Sequence, residues 1–458
     1  MKRVFLGVFA LLACVAAVYG YTASRREHTY RELIDRGEAA LARDDTFASI
    51  EAFSGAIAIK PYSMLGYLKR GETYRRRHQL EDALPDLLRA SELDPLAPRP
   101  LELLGDVNYS LARFGRATER YRAYVKLDDR SPRVLYKLAL AHYSAGQPAI
   151  ALDALTRAIA MDDAFAEAYY LLGLTYRDLR KPKESLRALE RSVRLAPALL
   201  HAREELADLY GRLGRHDDRI GQLDAVLALD PGPSREVALG VAYGDAGQFD
   251  RAVTTLGHAA ETHPDHSYTY VALGRLWLET AQTRRDRVSL SKALGALEGA
   301  VGTDESSEAL MLFGRALILA QDTKLAERVL QRATEKMPVD PLAFYYLADA
   351  AERRGHSEVA RRALLDYRAL AGEGTHSRQT AALAIRIADL SMTLGDAGSA
   401  VIWYKRGIGP ASDAAVLIRF AHAQSKAGNL QAARATLGKA LERDPANRAA
   451  RAALRRLE

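Results

Sequence analysis

Apolar positions in this chain recur at helical spacing, and the helices they predict come in pairs. In residues 166–199, Tyr169, Leu172, Gly173 and Tyr176 fall at i, i+3, i+4 and i+7, one face of a helix. Pro182 interrupts the pattern in a polar turn; Leu186, Leu189 and Val193 mark a second helix, which Pro197 closes. Two short helices cannot bury such faces against each other alone, so each pair needs a neighbour. The neighbours are present. Units begin at Tyr30, Met64, Pro98, Pro132, Ala166 and Leu200, each 34 residues after the last, then at Pro233, one residue early. A longer unit starts at Ser267, regular ones at Ser307 and Pro341, and the last two near Ala381 and Ala414. Self-similarity at such a period predicts a stacked repeat rather than separate globular domains.

Two registers define the unit. Its eighth place holds Gly37, Gly71, Gly105, Ala139, Gly173, Ala207, Gly240, Gly274, Gly314, Ala348, Ala388 and Ala421, always small. Its twentieth place is Ala or Ser throughout, as in Ser49, Ala83, Ala117, Ala151 and Ser185, except for Arg219. Small residues there let two helices cross closely, and large ones follow four places later, as in Phe53, Leu87, Tyr121, Leu155 and Leu189. Pro61, Pro95, Pro197, Pro231, Pro264, Pro338 and Pro445 end second helices, where a missing N–H stops continuation. Arg219 implies either local opening of unit six or a guanidinium that snorkels out; the second is expected. About six extra residues around Thr283–Ser289 are expected to lengthen a turn, and a further insertion covers Gly372–Arg378. After Pro445, the face formed by Ala450, Ala453, Leu454 and Leu457 predicts a terminal capping helix.

This pattern resembles the tetratricopeptide repeat family, from about Tyr30 to Asn447, with the best matches at Tyr67, Gly71, Tyr74, Ala83, Ala90 and Pro95 and at Tyr169, Gly173, Tyr176, Ser185 and Pro197. The resemblance implies an all-α fold, an α-solenoid in which antiparallel helix pairs form a right-handed superhelix with a concave groove. It also implies a protein-interaction scaffold that binds extended peptides or helices. The expected organisation is an N-terminal signal or anchor over 1–29, repeats over 30–266, an irregular longer repeat over 267–306, repeats over 307–447 and a cap over 448–458.

In the resembled family the second, fifth, ninth and twelfth residues of each first helix face the groove. From Pro98 to Leu199 these places hold Arg99, Glu102, Asp106, Tyr109, Arg133, Tyr136, Tyr143, Glu167, Tyr170 and Arg177. A second cluster holds Arg315, Tyr345 and Asp349. Tyrosines offer rigid area with a polar tip, and guanidinium forks suit carboxylates, so the stretch fits a peptide; packing between neighbouring helices is the alternative use of the tyrosines. The carboxylate-clamp version of the family has Asn at the ninth place. No unit here does, which argues against binding chaperone C-terminal tails.

The N-terminus adds a tether. Lys2 and Arg3 precede an uncharged run from Val4 to Thr22, long enough as a helix to approach the hydrocarbon thickness of a bilayer. It is taken as an uncleaved single-pass anchor; a signal cleaved near Val18-Tyr19-Gly20 and a lipid-modified Cys14 are the alternatives. Lys2 and Arg3 on one side nearly balance Arg25 and Arg26 on the other, and the array is placed in the periplasm, with the cytoplasmic side as the alternative.

Composition removes other classes. A net charge of +7 on 458 residues, with no basic stripe interleaved with aromatics, gives no nucleic-acid surface. Cys14 is the single cysteine, so there is no disulfide framework, cysteine-based zinc site or thiol nucleophile in the array. His263-Pro264-Asp265-His266 offers one ligand pair and no third, and the basic run Arg75-Arg76-Arg77-His78 reads as a solvated helix end. No catalytic constellation, cofactor or small-molecule substrate is expected. The expectation is a non-enzymatic, membrane-anchored scaffold of a bacterial cell-envelope assembly such as polysaccharide export, a pilus or outer-membrane biogenesis. The alternatives are a cytoplasm-facing inner-membrane regulatory adaptor and, more remotely, the targeting subunit of an enzyme complex.

Overall fold

The computed structural model describes residues 2–371, 377–410 and 412–457; side chains 1–8, 10 and 372–379 are outside the description. The described residues form 25 helices and no strand. Two compact units can be distinguished, Met1–Gly214 and Arg215–Glu458.

In the first unit the helices are α1 (Lys2–Ala42), α2 (Thr46–Ile59), α3 (Met64–Arg76), α4 (Leu80–Leu93), α5 (Pro98–Ser110), α6 (Phe114–Leu127), α7 (Pro132–Ser144), α8 (Pro148–Met161), α9 (Ala166–Asp178), α10 (Pro182–Leu195) and α11 (Leu200–Arg212). The second unit starts with α12 (His216–Leu229), α13 (Pro233–Asp245), α14 (Phe249–Thr262), α15 (Ser267–Arg284), α16 (Arg287–Thr303), α17 (Ser307–Leu319) and α18 (Thr323–Glu335). It continues with α19 (Pro341–Arg353), α20 (Ser357–Ala371), α21 (Ser377–Thr393), α22 (Ala397–Gly407), α23 (Ala414–Lys426), α24 (Leu430–Arg443) and α25 (Arg448–Arg455). Within each unit, a second helix packs on its own first helix and on the first helix of the next repeat.

Proline sets several starts. Pro98, Pro132, Pro148 and Pro182 each occupy the first helical position, where an N–H would have no intrahelical partner anyway. The turns between paired helices pass through left-handed backbone, as at Gly146 (φ 73°), whose N–H bonds the Tyr143 carbonyl at 2.9 Å.

The eighth-place glycines serve a different end. A Cβ on Gly173 would lie 2.6 Å from Leu189 Cγ, and Gly105, Gly240, Gly274 and Gly314 face Tyr121, Leu256, Leu297 and Leu330 in the same way. The large residue of the second helix therefore fills the space a side chain would need. The twentieth-place residues Ala83, Ala117, Ala151 and Ala252 are fully buried, and Ser185 keeps its hydroxyl satisfied by donating to the Gly173 carbonyl at 2.8 Å. Arg219, the exception, donates to Asp245 of α13 at 2.5 Å, so its charge reaches a carboxylate outside the packed layer.

Two expectations change. The extra residues around Thr283–Ser289 do not form a longer loop: only Arg285 and Asp286 lie between α15 and α16, and both helices are extended instead. At the N-terminus, α1 runs unbroken through residues 29 and 30, where the anchor was expected to end and the first repeat to begin. Its later part packs Tyr30 and Ile34 against Phe53 and Ala56, while Phe9, Leu11, Leu12, Val15, Val18, Tyr19 and Tyr21 are exposed. Among the described residues, no helix is long and apolar enough to cross a membrane. The expected anchor, Val4–Thr22, falls partly on side chains outside the description, and the Gly372–Arg378 insertion lies mostly outside it. At the far end Asn447 caps α25, whose Ala450, Ala453 and Leu454, followed by Leu457, pack on Leu417, Ala421 and Leu437.

Candidate peptide-binding face

Positions two, five, nine and twelve of a helix lie on one stripe, so neighbouring first helices bring these residues onto a shared face. In the first unit that face is tied side to side. Tyr109 Oη and Ser144 Oγ are 3.0 Å apart, and Tyr143 donates to Asp178 at 2.7 Å. Burial first, and then the Asp178 carboxylate, push the Tyr143 phenol up to about 12. Arg177 donates to both Glu205 oxygens, at 2.8 and 2.7 Å, and to Asp178 at 2.9 Å. Arg99 spans Glu72 and Glu102, each at 2.8 Å. These two guanidinium forks, expected to meet a partner's carboxylates, already hold the protein's own.

What remains uncommitted is narrow. Arg133 is exposed and makes no ion pair among the described residues. The Tyr136 ring packs on Phe165, centroids 5.1 Å apart, and Tyr170 packs against the buried cluster of Leu189, Val193, Leu206 and Tyr210. Both rings are half-buried, and neither hydroxyl has a partner among the described residues. Burial raises the pKa of both phenols, so they stay neutral donors. Arg133, Tyr136 and Tyr170 are thus the unspent groups on units four and five, with the exposed carboxylate of Glu167 among them.

An ordered charge ladder runs beneath this, and it escaped the sequence-based expectation. The sixth place of one first helix bears a cation that meets the acid at the ninth place of the preceding one. Lys69 meets Glu38 at 2.6 Å, Lys137 meets Asp106 at 2.7 Å, Arg386 meets Asp349 at 3.7 Å and Arg419 meets Asp389 at 3.4 Å. Lys137 also holds Glu102, at 2.7 Å. Burial pushes the Glu102 carboxyl up, but Lys137 and Arg99 together outweigh it and leave its pKa below the usual value. An acid followed by a cation 31 residues later, as in Glu38 and Lys69 or Asp106 and Lys137, was the available signal.

Two of these acids are also held from within. Tyr121, at the twenty-fourth place, passes under its own first helix and donates to Asp106 at 2.8 Å; Tyr404 does the same for Asp389. Burial, and next the Asp106 charge, push the Tyr121 phenol far up. Tyr121→Phe should cost about 2 kcal/mol, the range for a hydrogen bond to a charged group, read as faster hydrogen exchange of the α5 and α6 amides. Unchanged exchange would show that water replaces the phenol at no cost.

In the second unit Arg315 donates to Gln282 at 2.5 Å and lies over the Tyr346 ring. Tyr345 sits between Tyr346, Tyr367 and the Arg386 guanidinium, at centroid distances of 5.6, 5.4 and 5.3 Å. Tyr345 itself stays 36% exposed within this cluster. Elsewhere, His266 is engaged by the Thr269 hydroxyl at 2.8 Å, and Arg77 stacks on Phe47 at 3.8 Å. Among the described residues no three His, Cys, Asp or Glu side chains gather as metal ligands would.

Comparison with known proteins places the repeats in a family. Two tetratricopeptide repeat profiles match, one over residues 68–132, 136–199, 170–233 and 311–374 and the other over 414–447, together more than half of the chain. The small glutamine-rich tetratricopeptide repeat-containing protein 2 of Mycosarcoma maydis is 30% identical over 96 residues, 21% of this chain; the matched part spans 27% of that relative's length. Among solved structures, pilF of Pseudomonas aeruginosa is similar at 22% identity and a TM-score of 0.38, over 44% of this chain and 92% of that one. The Cut9–Hcn1 hetero-tetramer of the APC/C is similar at 12% identity and a TM-score of 0.38, over 93% and 96%. With its repeat spacing, its helix pairs and these profile matches, the chain belongs to the tetratricopeptide repeat family.

Proposed function

We propose that the chain is a non-enzymatic scaffold that holds an extended segment of a partner protein across its third to fifth repeats. One observation carries this: most polar groups of that face are paired internally, whereas Arg133, Tyr136, Tyr170 and the Glu167 carboxylate are not, and together they combine exposed charge, aromatic area and two free hydroxyls. A partner peptide gains hydrogen bonds there without displacing an existing ion pair. The double variant Tyr136→Ala/Tyr170→Ala should cut partner capture in crosslinking pull-downs while the array keeps its helical melting profile; undiminished capture would place the binding face elsewhere.

The same proposal tethers the array to a bacterial inner membrane through residues 4–22 and puts it in the periplasm, in service of a cell-envelope assembly. The uncharged run and the exposed apolar side chains from Phe9 to Tyr21 support the tether. Fusion of alkaline phosphatase or green fluorescent protein to the C-terminus decides the side. Phosphatase activity without fluorescence is expected, and the reverse would favour the cytoplasm-facing adaptor.

A further inference from the structure

We propose that the tip of the α15–α16 hairpin is a docking point for an acidic, extended protein segment, separate from the face on repeats three to five. The hairpin is longer than its neighbours: α15 has 18 residues against 13 in α13 and α17, and α16 has 17 against 14 in α14 and 13 in α18. The crossing point Gly274–Leu297 corresponds to Gly240–Leu256 and Gly314–Leu330, and the additional residues lie beyond it, toward the tip. Five extra residues in the α15 arm and three to four in the α16 arm extend the tip by roughly 5–7 Å at the helical rise.

That extension is stiff. Phe249 and Trp277 meet edge to face, centroids 5.1 Å apart. Arg284 lies over Phe249 at 5.5 Å and Lys292 over Trp277 at 4.3 Å, so two cations clamp the hairpin's arms to an aromatic pair. Asp286 caps α16, accepting from the Val288 and Ser289 N–H groups at 3.0 Å each and from the Ser289 hydroxyl at 2.6 Å. Its oxygens are turned to its own helix.

Arg285 and Arg287 flank that cap, exposed and without ion pairs among the described residues. Between Gln282 and Lys292 the chain carries Arg284, Arg285, Arg287 and Lys292 against the single carboxylate of Asp286. Beside them Val288 is 63% exposed. Two free guanidinium forks next to one apolar side chain suit a peptide that alternates carboxylates with aliphatic residues, since each fork can donate two parallel hydrogen bonds to a carboxylate. Nucleic acid fits less well, because the tip offers no exposed ring for base stacking and too few cations to track a backbone. A bilayer fits less well too, because one valine is a small apolar face.

The test uses the full chain in mild detergent and a fluorescein-labelled octapeptide of six glutamates and two leucines, followed by anisotropy at low salt. Saturable binding is expected. Arg285→Gln/Arg287→Gln should weaken it about tenfold, as loss of two exposed ion pairs allows, and added salt should weaken it further. Arg285→Lys/Arg287→Lys should fall between, keeping charge but losing the forks. Arg116→Gln/Arg180→Gln, at other exposed sites, should leave affinity within about twofold if the contact is local rather than a net-charge effect. No saturable binding, or equal affinity in the tip variant, overturns the proposal. So does tighter Arg285- and Arg287-dependent binding of phosphatidylserine vesicles or of oligo-dT. Neither result bears on capture through Tyr136 and Tyr170, which the pull-down reads independently.

Discussion

Gly173→Ala should destabilise the first unit by about 2 kcal/mol, and it should cost less than that in a chain that already carries Leu189→Ala. Outside this packing, alanine in place of a helical glycine would gain up to about 1 kcal/mol from backbone entropy. Here the new methyl must enter space held by Leu189 Cγ and Cδ2, 2.6 and 2.7 Å away, and overpacking of this kind costs about 1–3 kcal/mol. Leu189→Ala alone should cost about 3 kcal/mol, because Leu189 is 2% exposed and its removal leaves a cavity. In the double variant the methyl introduced in place of Gly173 occupies part of that cavity. The losses should therefore fall short of additive by about 1 kcal/mol or more. Repeat arrays unfold in parts, so the measurement is hydrogen exchange of amides in α9 and α10 rather than a single melting point. Strict additivity would show that the small eighth place reflects helix crossing alone and not occupation by the large residue opposite.

The Lys137 cluster should show an equally large effect, with a reversal in pH dependence. Glu102 is 7% exposed, and Lys137 Nζ lies within 2.7 Å of both Glu102 and Asp106. Lys137→Met leaves these carboxylates short of one cation and should cost about 3 kcal/mol at neutral pH. In the parent protein the Glu102 pKa is held below its ordinary 4.5, so this group's contribution to stability is present above that pH and is lost as pH falls through the folded value. Without Lys137, burial dominates and raises the Glu102 pKa. The variant should then lose stability as pH rises from about 4 to about 7, where the parent does not. Hydrogen exchange of α5 and α7 amides across that range, corrected for the intrinsic exchange rate, reads both effects. A variant whose protection rises in parallel with the parent's would mean that Arg99 alone compensates Glu102.

The helix pairs were legible because steric requirements repeat at fixed intervals. Gly or Ala at the eighth place, Ala or Ser at the twentieth and proline at the ends locate the first-helix starts at Met64, Pro98, Pro132, Ala166 and Leu200 to the residue. The extended α15–α16 hairpin was less legible. Thr283–Ser289 reads as polar and charged, which suits a loop as well as the exposed arms of a helical hairpin, and only the Asp286 cap distinguishes them. Continuity of α1 was hidden for a related reason: charged residues from Arg25 to Glu27 end an apolar run without ending a helix. The pairing of the expected face residues was not legible. Arg99 and Arg177 reach residues on adjacent helices, and which acid lies within reach depends on the offset between helices, not on one helix's periodicity. Tyr121 was read as a large packing residue, although its hydroxyl emerges beside Asp106.

The ladder between sixth and ninth places gives the joints it spans a fit of their own. Lys137 follows a repeat that presents Asp106, whereas the ninth place of the fifth repeat is Leu174, and the sixth place of the third is the fully buried Leu103. Transplanting the fourth repeat behind the fifth would set an ammonium group against a leucine and strand Asp106 elsewhere. These repeats are therefore not interchangeable bricks. Where the ladder runs, a repeat carries on one side the complement of a particular predecessor, so part of the array's order is written into its joints as well as into its covalent chain.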